Sequence, residues 1–118
     1  MKQPDALTAI ERLSDLPEGW DSYGAPRIEE AARKRAKECL HQVRSVLGQS
    51  YWNPLVGPTP DAGVSLIWRK PVGSEVNVLT TQAGARYVVL SPTHHVVQTG
   101  QGNDFYRFSL EVLKPLEL

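Results

Sequence analysis

From residue 5 to 16, Leu7, Ile10 and Leu13, with Ala9 and Leu16 offset, fall at helical spacing and predict a short helix. Pro4 suits its first turn and Pro17 stops it. A longer stripe of Ile28, Ala32, Ala36, Cys39 or Leu40, Val43 and Leu47 predicts a helix over 28–47. Glu29 and Glu30 lie in its first turn, where the helix dipole favours anions, each four residues before a base, Arg33 and Lys34. Gly48 is a natural stop.

From Val64 the period becomes two, with Val64, Leu66 and Trp68 on one face and Ser65, Ile67 and Arg69 on the other. The same alternation predicts strands over 64–70, 75–81 and 86–91, with 95–99 and 104–108 as further candidates. The tail fits both periods: Tyr106, Phe108, Leu110 and Val112 alternate, while Phe105, Phe108 and Val112 share a helical face. The reading adopted is a strand followed by a short C-terminal helical turn, capped by Ser109 and ended by Pro115. Residues 49–63, rich in Pro and Gly, predict an irregular connection, a strap beside Tyr51 and Trp52 that covers a sheet edge or face.

Two N-terminal helices (about 5–16 and 28–47) packed on an antiparallel meander of three to five strands make a two-layer α+β fold. At 118 residues the chain is expected to form a single domain, 1–118. If the tail leaves the second sheet face open, the row containing Ile67, Leu79, Val88 and Leu90 needs a partner or another copy of the chain.

Composition narrows the functions. Thirteen basic and thirteen acidic residues balance, without the basic excess that marks most nucleic-acid binders. One cysteine excludes an intrachain disulfide, and with three scattered histidines it cannot build a Cys-based zinc site, so neither metal nor cofactor is expected. No apolar run reaches signal-peptide or membrane-span length, and a cytoplasmic protein is expected.

Two motifs stand out: Gly19-Trp20-Asp21-Ser22-Tyr23-Gly24-Ala25, ahead of the long helix, and Pro58-Thr59-Pro60-Asp61-Ala62-Gly63-Val64, entering the first predicted strand. Together they resemble a family of small bacterial proteins with a Gly-Trp-Asp-x-Tyr-Gly-Ala loop and a Pro-Thr-Pro-Asp-Gly-Gly-Val turn, a group without an assigned activity. The resemblance covers residues 16–68. It implies a bacterial source and an α+β domain. By analogy with other small stand-alone proteins it also implies an antitoxin, immunity or defence-related accessory role on a mobile element. Ala62 replaces the first glycine of the family's turn, so a different backbone conformation is expected there.

Each candidate site has a structural reading beside its functional one. Trp20, Asp21 and Tyr23 form a compact aromatic–acidic cluster suited to protein recognition, although a loop Trp more often plugs the core while Asp binds backbone amides. Arg33, Lys34, Arg35, Lys37, His41 and Arg44 concentrate positive charge on the long helix, a weak nucleic-acid signal and an ordinary solvated face. His94, His95, Asp61 and Cys39 are the residues from which folding would have to assemble an enzyme site; Cys39, on the apolar stripe, reads as core. The primary expectation is a non-enzymatic protein-interaction module contacting a partner through Trp20, Asp21, Tyr23 and Trp52, with Arg33 and Lys37 as secondary contacts. The partner is another protein, encoded nearby, or the chain itself. The alternatives are a small enzyme and a weak nucleic-acid binder using helix 28–47.

Overall fold

The computed structural model describes residues 5–70, 73–102 and 104–113. Pro4 and Pro115, assigned boundary roles above, lie outside the described residues, as does the side chain of Ser50. The fold is α+β, helices first and then an antiparallel meander, as the periodicities predict.

Helix α1 spans Ala6–Arg12 and tightens into a 3-10 turn at Leu13–Asp15. Helix α2 spans Glu30–Leu47 and ends where Gly48 takes a positive φ of 55°. Its buried face is the anticipated stripe of Ala32, Ala36, Cys39, Leu40, Val43 and Leu47. The alanines bring the helix axis close to the sheet. There the buried Thr80 hydroxyl donates to the Ala32 carbonyl at 2.8 Å, which satisfies a polar group inside an apolar core.

Five strands, β1 (Leu55–Pro58), β2 (Val64–Arg69), β3 (Glu75–Thr81), β4 (Gly84–Leu90) and β5 (Val96–Gln101), pair antiparallel in the order β1-β2-β3-β4-β5. Val64, Leu66 and Trp68 of β2, and Val76, Val78 and Thr80 of β3, bury the helix-facing side. Strand β1 falls within the stretch expected to be irregular. Four residues ending in Pro58 are too short and broken to show a period, and proline is tolerated because this is an edge strand whose ladder is completed by β2.

The tail resolves in favour of helix. Helix α3 (Phe105–Phe108), continued by a π-helical segment at Ser109–Leu113, replaces the candidate strand 104–108. Burial decides between the two periods: Phe105, Phe108, Val112 and Leu113 are buried together, and Phe108 packs on Tyr87 and Trp68 at ring-centroid distances of 5.0 and 6.4 Å. The cap is Asp104, whose carboxylate accepts from the Arg107 N–H at 3.0 Å. Ser109 instead lies past the first turn and donates back to the Phe105 carbonyl at 2.6 Å.

The tail therefore joins the helix layer. Among the described residues α1, α2 and α3 all pack on one side of the sheet, and no element lies over the other.

Candidate functional site

The loop before α2 is built from its own backbone. Asp21 accepts from the amides of Tyr23 and Ala25 at 2.9 and 3.0 Å, the Gly19 N–H donates to the Ala25 carbonyl, and Gly19, Ser22 and Gly24 all have positive φ. Those two amides hold the Asp21 carboxyl below its ordinary range. The Trp20 indole packs half-buried against the core and donates to the Pro26 carbonyl at 3.2 Å. Tyr23 alone points out, 93% exposed.

The second motif is tied to the start of the same helix. The Thr59 hydroxyl bonds Asp61 and accepts from the Gly63 amide, and the Ala62 carbonyl accepts from the Glu29 N–H at 2.9 Å, directly before α2 begins. Ala62 itself sits at φ 68°, a left-handed conformation that glycine adopts freely and alanine rarely does.

Trp52 lies beyond the other end of α2, half-buried, with its indole donating to the Arg69 carbonyl. An 18-residue helix is about 27 Å long, so Trp20 and Trp52 belong to opposite ends of the molecule. The expected contact residues are not brought onto one surface.

The basic side chains of α2 are largely spent on internal tethers. Arg35 donates to the Thr81 and Gln82 carbonyls at 3.0 and 3.1 Å, pinning the helix to the β3–β4 turn. Lys37 pairs with Glu11 at 3.5 Å, and Arg44 pairs with Asp5 at 3.7 Å and lies over the Tyr51 ring. Arg33 is partly buried, its Nε without a partner. The expected pairs Glu29–Arg33 and Glu30–Lys34 do not form among the described residues. Lys34 and His41 remain exposed.

The residues proposed for catalysis do not converge. Asp61 is in the β1–β2 turn, whereas His94 and His95 are in the β4–β5 turn at the opposite end of the strands, about 20 Å away for seven-residue strands. His95 Nδ1 shares a hydrogen bond with the Thr93 hydroxyl at 2.9 Å, and His94 occupies a positive-φ position. Cys39 is fully buried, and burial pushes its thiol pKa up, away from the reactive thiolate. No group of three His, Cys, Asp or Glu side chains suited to a metal occurs among the described residues.

The uncovered sheet face is the larger feature. Register places Leu55, Ile67, Asn77, Val88 and Thr99 in one row across it. The neighbouring rows hold Ser65, Leu79, Arg86 and Gln101 on one side, and Arg69, Glu75, Leu90 and Val96 on the other. Glu75 is 9% exposed, clamped by Arg69 Nε at 2.6 Å and Asn77 Nδ2 at 2.9 Å. Ile67, Leu79, Val88 and Leu90 surround a polar centre at Asn77 and Glu75, and Arg86 is exposed at the rim, with Asp61 nearby. On the helix side a cavity of about 300 Å³ opens between α3 and strands β4 and β5, floored by Tyr87, Phe105 and Phe108 and rimmed by the Arg107–Glu111 pair. The sequence signalled the face through its row of alternate apolar residues; the cavity depended on α3 and left no local signal.

No family model, curated protein or solved structure matches this chain. Among the described residues no helix is long and apolar enough to cross a membrane.

Proposed function

We propose that this protein is an interaction module that binds another protein through the uncovered face of its sheet. One observation carries the reading. All the helices, including the C-terminal one, pack on the same side, leaving Leu55, Ile67, Leu79, Val88 and Leu90 on a face with no cover among the described residues. Apolar side chains gathered on one open sheet face, rather than scattered singly, are the usual mark of a contact surface. With Arg69 paired to Glu75, the exposed Arg86 at the rim favours a partner that sets an acidic group beside its apolar contact surface.

An antitoxin, immunity or accessory role, as the resemblance implies, is one form of this reading, in which a neighbouring gene encodes the partner. Light scattering on the protein coexpressed with adjacent gene products tests it. A stable heteromer is expected, weakened by Ile67→Lys or Val88→Glu and unaffected by Lys34→Glu. Failure to find a heteromer, or one indifferent to both face substitutions, overturns the reading.

A further inference from the structure

The two edges of the sheet are built differently. β1 is four residues long and ends in Pro58, with Pro54 just before it, and short, proline-bearing edges resist pairing with other strands. β5, Val96-Val97-Gln98-Thr99-Gly100-Gln101, has six residues without a proline or a charge. Lysine, proline and inward charges are the usual guards of an edge, and β5 has none of them; its one irregularity is a bulge at its start, where Val97 has no β4 partner, and the register from Gln98 to Gln101 is regular.

Its free hydrogen-bonding groups follow from the ladder. The Gly102 N–H donates to the Ala85 carbonyl at 2.8 Å, and antiparallel bonding alternates, so Gly100 and Gln98 bond to β4 while Thr99 and Gln101 turn their N–H and C=O groups outward. These four groups have no partner among the described residues. Beside them Val96 and Val97 are 61% and 62% exposed. The chemical complement of such an edge is another extended backbone.

We infer that β5 pairs antiparallel with β5 of a second copy of this chain, about a two-fold axis near Thr99–Gln101, joining two five-stranded sheets into one of ten. Charge favours the second copy as the occupant. An uncharged strand placed against itself opposes no like charges, and a two-fold pairing satisfies the outward groups of both copies reciprocally. The joined sheet also extends the open apolar face across both subunits. This inference goes beyond the face reading: the edge pairs with a second copy, and the face stays open to the proposed partner.

The test is light scattering on the isolated full chain over about 10 µM to about 1 mM, the affinity range of small edge contacts. A mass of twice 13.1 kDa is expected at the upper end. Thr99 is exposed, so Thr99→Lys and Thr99→Glu should each leave the fold intact by circular dichroism, yet move dimerisation to at least about tenfold higher concentration through like-charge opposition. An equimolar mixture of the two variants should recover the dimer as a heterodimer. A monomer throughout, an oligomer larger than two, or a dimer unmoved by either variant overturns the pairing. A monomer that still forms a heteromer on coexpression overturns the β5 pairing alone and leaves the interaction reading standing. If Thr99→Lys also abolishes that heteromer, the occupant of β5 is the partner's strand rather than a second copy.

Discussion

Trp52 and Trp68 hold each other in place through indole-to-backbone hydrogen bonds: Trp68 Nε1 donates to the Trp52 carbonyl at 3.0 Å, and Trp52 Nε1 donates to the Arg69 carbonyl at 3.1 Å. The exchange ties the segment leading into β1 to the end of β2, with Trp68 fully buried beneath it. Trp68→Ala should cost about 3–5 kcal/mol by chemical denaturation, through lost burial and the cavity left behind. Trp52→Phe, which keeps most of the ring and loses one hydrogen bond, should cost about 0.5–1.5 kcal/mol. Equal costs for the two would show that the pair is not organised this way.

Ala62 and Gly63 are adjacent small residues with opposite constraints. A Cβ at Gly63 would lie 2.6 Å from the Thr80 carbonyl, so Gly63→Ala must displace β3 backbone and should cost about 1–3 kcal/mol. At Ala62 the φ of 68° means that glycine relieves about 1–2 kcal/mol of left-handed strain. Glycine's greater unfolded-state freedom and the lost methyl burial offset that gain, so Ala62→Gly should be close to neutral. Thermal melts of the two variants compare them directly.

Glu75 makes stability depend on acidity. The hydrogen bond from Arg69 foremost, and that from Asn77, hold its carboxyl pKa below the ordinary value against a raising effect of burial. A lowered folded pKa contributes stability that is present above the unfolded value of about 4.3 and is lost as pH falls through the folded value. The difference in melting temperature between the wild-type chain and Glu75→Gln should therefore shrink from neutral pH to pH 3; a constant difference would show that the carboxylate is not preferentially stabilised by folding.

Within the loop before α2, Asp21 and Tyr23 separate structure from recognition. Asp21→Ala removes the acceptor for two amides, so hydrogen exchange at Tyr23 and Ala25 should quicken while distant amides keep their protection. Tyr23→Ala should change stability by no more than about 0.5 kcal/mol, since the ring is almost wholly in water. A Tyr23 variant that folds normally but binds a coexpressed partner less tightly would extend the contact surface to this loop.

The stripe of α2 is a further check on the core. Leu40→Ala should cost about 2–5 kcal/mol, because Leu40 is buried between helix and sheet. A loss below about 0.5 kcal/mol, the range of surface substitutions, would place the residue outside the core.

By itself the sequence determined the α+β class, α1, α2, strands β2 to β4 and the faces they bury, because period and burial are local consequences of helix and strand geometry. It also carried the backbone duty of Asp21 and the core placement of Cys39. Tertiary structure decided the rest. β1 exists only because β2 supplies its ladder, and 105–113 is helical because Phe105, Phe108 and Val112 are then buried together, with Phe108 against Trp68 and Tyr87 on the helix side of the sheet. That choice of side leaves the opposite sheet face uncovered among the described residues. Packing likewise dispersed the aromatic and basic candidates, sending Trp20 and Trp52 to opposite ends of α2 and turning Arg35, Lys37 and Arg44 into tethers. A residue's type sets what it can bond, but which partner it reaches depends on how the layers stack, and that is a property of the whole chain.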